Sequence, residues 1–312
     1  MMELFLTVFS ATFFVTVIRT TTPLLLATLG GLIADLSGAL NVALEGMMLA
    51  GCLTAVLVSV HSPWCVAVAA GTGAGALLGA MMAFFTYRMK ADIILVGFAI
   101  NILAAGGTVF ALSIATGGDK GASINLPSKA IPAVDLTFLY AIPGIGPILT
   151  SFLSGHSVLS WLAAFIVFAI WYFLYRTPWG LWLRGVGEHP AAPEAAGIPV
   201  HKIRTLALVA SGALAALGGA QLAMFNYVGF TRDMTAGRGF IALGAVLLGA
   251  RHPVGALLAA ILFGAFEALA VVMPGLFSWA PTELIRTIPF AVTIAALFIV
   301  GGSAARAKRR SA

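Results

Sequence analysis

The sequence predicts an all-α fold, a polytopic transmembrane helix bundle. Three observations carry this. Of 312 residues, 61% are hydrophobic and 9% charged, whereas a soluble domain has about 25% charged residues with which to cover its surface. The mean hydropathy is +1.05, the range of a chain solvated by lipid. Apolar runs of about 20 residues, the length that crosses a bilayer as a helix, recur along the chain.

Taken in order, full spans are expected at roughly 3–18, 39–60, 65–87, 92–116, 157–175, 203–227, 254–273 and 284–301. Two shorter apolar pieces, 22–34 after "RTTTP" and 238–250 after "RDMTAGRG", are short for full crossings. Short or broken segments inside a bundle line cavities more readily than they face lipid. The expected count is therefore eight to ten membrane segments in a single domain, 1–312. The opening "MMELFLTVFSATFFVTVI" has no basic n-region and no Ala-x-Ala exit, so it reads as a retained membrane segment.

Basic residues set the orientation. With the tail "ARAKRR" (within 302–312) in the cytoplasm and both short pieces counted as crossings, 11 of the 17 Lys and Arg fall inside and 6 outside. The net charge of +6 then reflects topology, not a nucleic acid partner. The Pro- and Gly-rich stretch 117–156 becomes an external loop, whose piece "FLYAIPGIGPIL" is expected to lie on the membrane or bundle. "GTGAGALLGA" (71–80) and "SGALAALGGA" (211–220) place small residues at helical spacing, which lets helices approach closely.

Enzyme chemistry is not visible. No G-x-x-x-x-G-K-[ST] stretch is present to hold ATP phosphates, and neither H-E-x-x-H nor G-x-S-x-G occurs. His61, His156, His189, His201 and His252 are too scattered for a metal site. Cys52 and Cys65 read as small core residues. The informative side chains are the few polar ones inside spans. Asn41 and Glu45 lie four apart, on one helical face. Asn101 sits mid-span, Gln221 and Asn226 near an outer end, and Glu267 late in "FGAFEAL". Helix–helix hydrogen bonding explains such residues. So does a polar translocation path, for which Asn41, Glu45, Asn101 and Gln221 are the candidates. Phe98, Phe225, Phe230 and Phe240 offer apolar faces, to a solute base or to core and lipid.

One polar stretch interrupts the apolar runs: "LRGVGEHPAAPEAAGIPVHKIR", residues 183–204. Residues 190–197 can form a short helix, with Pro190 near its start and Gly197 at its end. It is too charged to bury and too small and apolar for an ordinary solvated loop. A knob that docks in a groove on another protein has this composition, and so does an amphipathic loop with no partner.

The stretch "GEHPAAPEAAGI" resembles the cytoplasmic coupling segment of ABC-importer permeases of the simple-sugar and nucleoside branch. "GLIADLSGALNVALEGMMLAG" (31–51) and "GRGFIALGAVLLGARHPVGALLAAILFGAFEAL" (237–269) resemble two further motifs of that branch. His189 departs from the Asn usual there, and Pro193 stands within the presumed helix. The resemblance implies a bacterial inner-membrane permease without enzymatic activity or cofactor of its own, ATP and magnesium being held by a partner ATPase. It implies coupling through Glu188, His189, Glu194, Ala195, Ala196 and Gly197, within a cytoplasmic coupling segment at 183–203. A second, unlike permease subunit is expected, with membrane lipid around the pair. A periplasmic or lipid-anchored binding protein would dock on 117–156 and 228–238. "NVALEG" is similar to permeases for nucleosides; a simple sugar is the alternative solute. An ion-coupled secondary transporter using Glu45 and Glu267 is the alternative class, against which no inverted repeat is visible.

Overall fold

The computed structural model describes residues 11–119, 121–123, 126–136 and 154–276. The expected span 284–301, the basic tail and the piece 138–149 lie outside the described residues. The helices are α1 (Ala11–Leu36), α2 (Leu44–His61), α3 (Trp64–Ala83), α4 (Ile93–Thr116), α5 (Val158–Arg176), α6 (Pro178–Glu188), α7 (Ala191–Ala195), α8 (Val200–Gln221), α9 (Arg238–Leu248) and α10 (Pro253–Leu276). Single π-helical turns, Phe84–Arg88 and Leu222–Asn226, prolong α3 and α8. A two-stranded antiparallel ladder pairs β1 (Ala133–Val134) with β2 (His156–Ser157). Among the described residues, seven helices are long and apolar enough to cross a membrane: α1 to α5, α8 and α10.

From residue 11 on, the expected separate pieces 3–18 and 22–34 join in one continuous helix, α1, which contains Pro23. A proline inside a helix leaves the carbonyl four residues earlier without its N–H partner. Here that carbonyl belongs to Arg19, and Asn226 Nδ2 donates to it at 3.0 Å. The threonines before the proline also turn inward. Thr16 donates to the Thr12 carbonyl at 2.8 Å and Thr22 to the Ile18 carbonyl at 2.8 Å. Thr20 reaches across to the Gly264 carbonyl of α10 at 2.8 Å. "RTTTP" therefore continues a helix instead of ending one.

The other short piece is half a span. With 11 residues, α9 is about 16 Å long. The chain reaches it through the non-helical segment 227–237, which is tied to 121–123 by an Ala122–Thr231 bridge and by Ser123 N–H to Phe230 C=O at 2.8 Å. Of the two segments expected to face a binding protein, residues 121–123 and 230–232 are thus paired.

Helix α8 is the centre, with α1, α2 and α3 packed around it. Small residues allow this. A Cβ on Gly51 would meet Ala216, one on Gly212 would meet Gly75, and one on Gly219 would meet Met48. Close approach gives dispersion contact that lipid would otherwise supply. Cys52 is buried here, its thiol donating to the Gly219 carbonyl, while Cys65 is exposed. Helix α4 lies outside and shows Leu95, Ile102, Phe110 and Ile114 to the surroundings.

Candidate functional site

Between α1 and α2 the backbone leaves the helix for residues 37–43. Gly38 starts the break at φ +77°, and Ala39 N–H bonds back to Ala34 C=O at 3.1 Å. This is a left-handed glycine cap. Non-helical backbone within a membrane bundle must be paired by protein, and two asparagines do it. Asn101 of α4 accepts from Gly46 N–H at 2.8 Å and donates to Val42 C=O at 2.9 Å. Asn41 accepts from Ala43 N–H at 2.9 Å and donates to Ser211 Oγ of α8 at 2.9 Å. Asn101 lies eight residues into α4, about 12 Å from its start, so the clamp is well inside the span.

Glu45 stands beside this clamp. Its two oxygens accept from Gly237 N–H at 2.8 Å and Gly239 N–H at 2.6 Å, at the start of α9. A carboxylate here pairs otherwise orphaned donors and opposes the positive end of the helix dipole. We expect Glu45→Gln to leave one of these donors facing an NH₂ group, costing about 1–3 kcal/mol locally. Amide exchange at residues 237–241 should then accelerate roughly tenfold or more; unchanged protection would refute the capping role.

Three of the four candidate path residues are thus together: Asn41, Glu45 and Asn101. Gln221 is elsewhere, fully buried at the other end of α8. Its Oε1 accepts from Ser157 Oγ at 2.9 Å, and its Nε2 has no partner. One turn beyond the clamp, Leu49 follows Glu45 by four residues and Ala105 follows Asn101 by four. These two, with Ile102, Gly106, Arg232 and Asp233, line an open cavity of about 480 Å³. Of the candidate phenylalanines, Phe98 and Phe240 are exposed, whereas Phe230 is core at 1% exposure. Phe225 lies under the Arg19 guanidinium. Among the described residues, no group of His, Cys, Asp and Glu is placed to hold a metal ion.

At the opposite end from Arg19 and Asn226, α6 and α7 form a projecting arm. Thr177 caps α6 by accepting from Gly180 N–H, with Pro178 at the first helical position. His189 ends α6, and α7 starts at Ala191, one residue later than expected. Pro193 fits because it lies in the first turn, where no N–H is required. Gly197 has φ +77° and closes the turn, with Ile198 N–H on Pro193 C=O at 2.9 Å. Glu188, His189, Glu194, Ala195, Ala196 and Gly197 are all exposed. The expected segment 183–203 is thus the end of α6, the arm tip and the first turn of α8.

Sequence reasoning used Arg204 only for orientation and passed over Asp35 and Ser211. Arg204 Nε donates to Ser37 C=O at 3.1 Å and Nη2 to Val186 C=O at 3.3 Å. Arg251 Nε pairs with Asp35 Oδ2 at 2.6 Å. The signal available was a charged residue at the edge of an otherwise apolar run, as in "IADL" and "HKIRTLALV".

Comparison with known proteins agrees with this architecture. Residues 13–297 match the family described as branched-chain amino acid transport system / permease component. The chain is 36% identical to the guanosine ABC transporter permease protein NupQ of Bacillus subtilis, over 88% of this chain and 87% of that one. It is 33% identical to the nucleoside ABC transporter permease protein NupC of Lactococcus lactis, over 91% and 90% of the two. It is also 33% identical to the putative glucose ABC transporter permease protein TsgC13 of Haloferax volcanii, over 81% and 74%. No solved structure matches. With a family match across nearly the whole length and a bundle of membrane-spanning helices, this multi-pass membrane chain belongs to the permease-component family of the branched-chain amino acid type.

Proposed function

We propose that this chain is the permease subunit of a bacterial ABC uptake transporter that brings a nucleoside into the cytoplasm by alternating access. The observation that carries the reading is the arm tip: a short helix of alanines, a half-buried proline, one carboxylate and a capping glycine, otherwise exposed at one end of a membrane bundle. Its occupant would be the partner ATPase, which holds ATP and magnesium and does the hydrolysis. Glu188, His189 and Glu194–Gly197 make the contact. The polar path follows Asn41, Glu45 and Asn101, with the neighbouring cavity above them and Gln221 farther along. A second permease subunit covers the exposed face of α4, and the binding protein docks on 117–156 and 228–238. The names borne by NupQ and NupC support a nucleoside; that of TsgC13 favours a sugar as the second reading.

The test is ATP hydrolysis by the full transporter in lipid nanodiscs, stimulated by binding protein loaded with guanosine or with glucose. Guanosine is expected to stimulate. Glu194→Arg with Gly197→Trp should weaken ATPase docking by about 2 kcal/mol, roughly 30-fold, because both changes fall in the knob. The left-handed conformation of Gly197 makes the tryptophan cost about 1–2 kcal/mol at the arm tip, but the bundle itself should stay folded, since neither side chain is buried in it. Wild-type docking by the double variant would refute the reading.

A further inference from the structure

The arm and the break in the membrane meet at one joint, and Arg204 holds it. Two helix ends come together there. The Ser37 carbonyl follows the last turn of α1, and the Val186 carbonyl belongs to the last turn of α6. Val186 C=O would ordinarily accept from the N–H of residue 190, but Pro190 has none. Both carbonyls are helix-terminal orphans, and a guanidinium suits two such acceptors by geometry and by the negative end of each dipole. Arg204, the fifth residue of α8, donates one N–H to each, at 3.1 and 3.3 Å.

The backbones themselves also touch. A Cβ on Gly187 would strike the Leu36 carbonyl and come within 3.1 Å of Gly38 N. A Cβ on Gly38 would lie 3.3 Å from Gly187 Cα and 3.2 Å from Arg204 Nη2. The arm therefore rests directly on the first residues of the break, with no side chain between. The same corner is anchored to the α9–α10 turn by Arg251, which donates to the Asp35 carboxylate and, at 2.7 Å, to the Asp35 carbonyl. From the corner the break runs to Asn41, which bonds Ser211 of α8, and to Val42, whose carbonyl Asn101 holds, and then enters α2, where Glu45 caps α9.

We propose that Arg204 is a positioning residue for energy coupling: by bridging the ends of α6 and α1 it makes the 37–43 segment move with the arm. This rests on the permease reading above. Motion of the arm tip would reach the Asn41–Asn101 clamp through Gly187, Gly38 and the guanidinium, and through Glu45 it would reach the half-helix α9.

The test uses the complete transporter in nanodiscs, with guanosine as the transported probe. Arg204→Met removes both bridges; Arg204→Lys keeps the charge but reaches one carbonyl at a time. Two quantities are read: guanosine moved per ATP hydrolysed, and the change in amide exchange of residues 37–46 when ATP and vanadate trap the ATPase. In Arg204→Met, ATPase co-purification and basal hydrolysis should remain at wild-type level. Guanosine per ATP should fall about tenfold, within the usual range of coupling between sites, and the exchange change at 37–46 should vanish. Arg204→Lys should fall between, and it carries the test if Arg204→Met does not fold. A variant that keeps the wild-type ratio and exchange change overturns the joint while leaving the permease reading intact. A wild-type transporter with no solute-stimulated hydrolysis overturns that reading, and the joint with it.

Discussion

Replacing Arg238 by methionine is expected to destabilise the folded chain by about 3–5 kcal/mol, because it leaves Glu267 as a carboxylate without a partner in the bundle. Arg238 opens α9, and Glu267 lies on the antiparallel α10. Their side chains pair and are only 11% and 14% exposed. The guanidinium is used twice, since Nη1 also donates to Met234 C=O at 2.9 Å and Thr235 C=O at 3.1 Å. It thus fastens the non-helical approach to α9 while neutralising a carboxylate that hydrocarbon would not solvate. Lysine cannot replace this fork, so Arg238→Lys should recover only part of the loss. The double variant Arg238→Met, Glu267→Met should recover most of it, because an apolar pair of similar volume has no desolvation cost to offset. Unfolding midpoints in mixed micelles form the double-mutant cycle. Strict additivity of the two single changes would show that the pair is not coupled.

The membrane architecture was legible because its signal is collective. Among the described residues seven apolar helices are long enough to cross, and no single residue reverses that inference. The arm was legible for the opposite reason: a short polar interruption in a greasy chain has few places to go. Two features were hidden because they depend on partners distant in sequence. Pro23 reads as a helix boundary until Asn226, about 200 residues later, supplies the missing donor to Arg19 C=O. Asn41 and Glu45 read as one helical face, yet Asn41 lies in the break before α2 and Glu45 in its first turn. What joins them is Asn101 and the start of α9, and neither contact leaves a local pattern. The same holds for Arg204. A basic residue near a predicted span end is ordinary in a membrane protein, and its two carbonyl partners are set by tertiary packing alone.

Gly75→Leu should abolish folding, whereas Gly73→Leu two residues away should be silent in the isolated chain. Both glycines lie in "GTGAGALLGA" and have the same helix propensity, so local sequence does not separate them. Position on the helix does. Gly71, Gly75 and Gly79 repeat every four residues and form one stripe on α3. A Cβ on Gly71 would come within 2.8 Å of Gly51 C=O of α2. One on Gly75 would collide with Gly212 and Ala216 of α8, and one on Gly79 with Leu208. These contacts are largely to backbone, which cannot rotate away as a side chain can. Overpacking in a deformable core costs about 1–3 kcal/mol, occasionally more; here the helices must separate along their length, at the centre of the bundle. Nothing lies within 4 Å of a Cβ on Gly73, so a leucine there is accommodated without strain. Size-exclusion profiles of the two variants in detergent decide the matter. A monodisperse Gly75→Leu protein would mean that α3 and α8 tolerate a wider separation, and that the small-residue stripe is not what sets their distance.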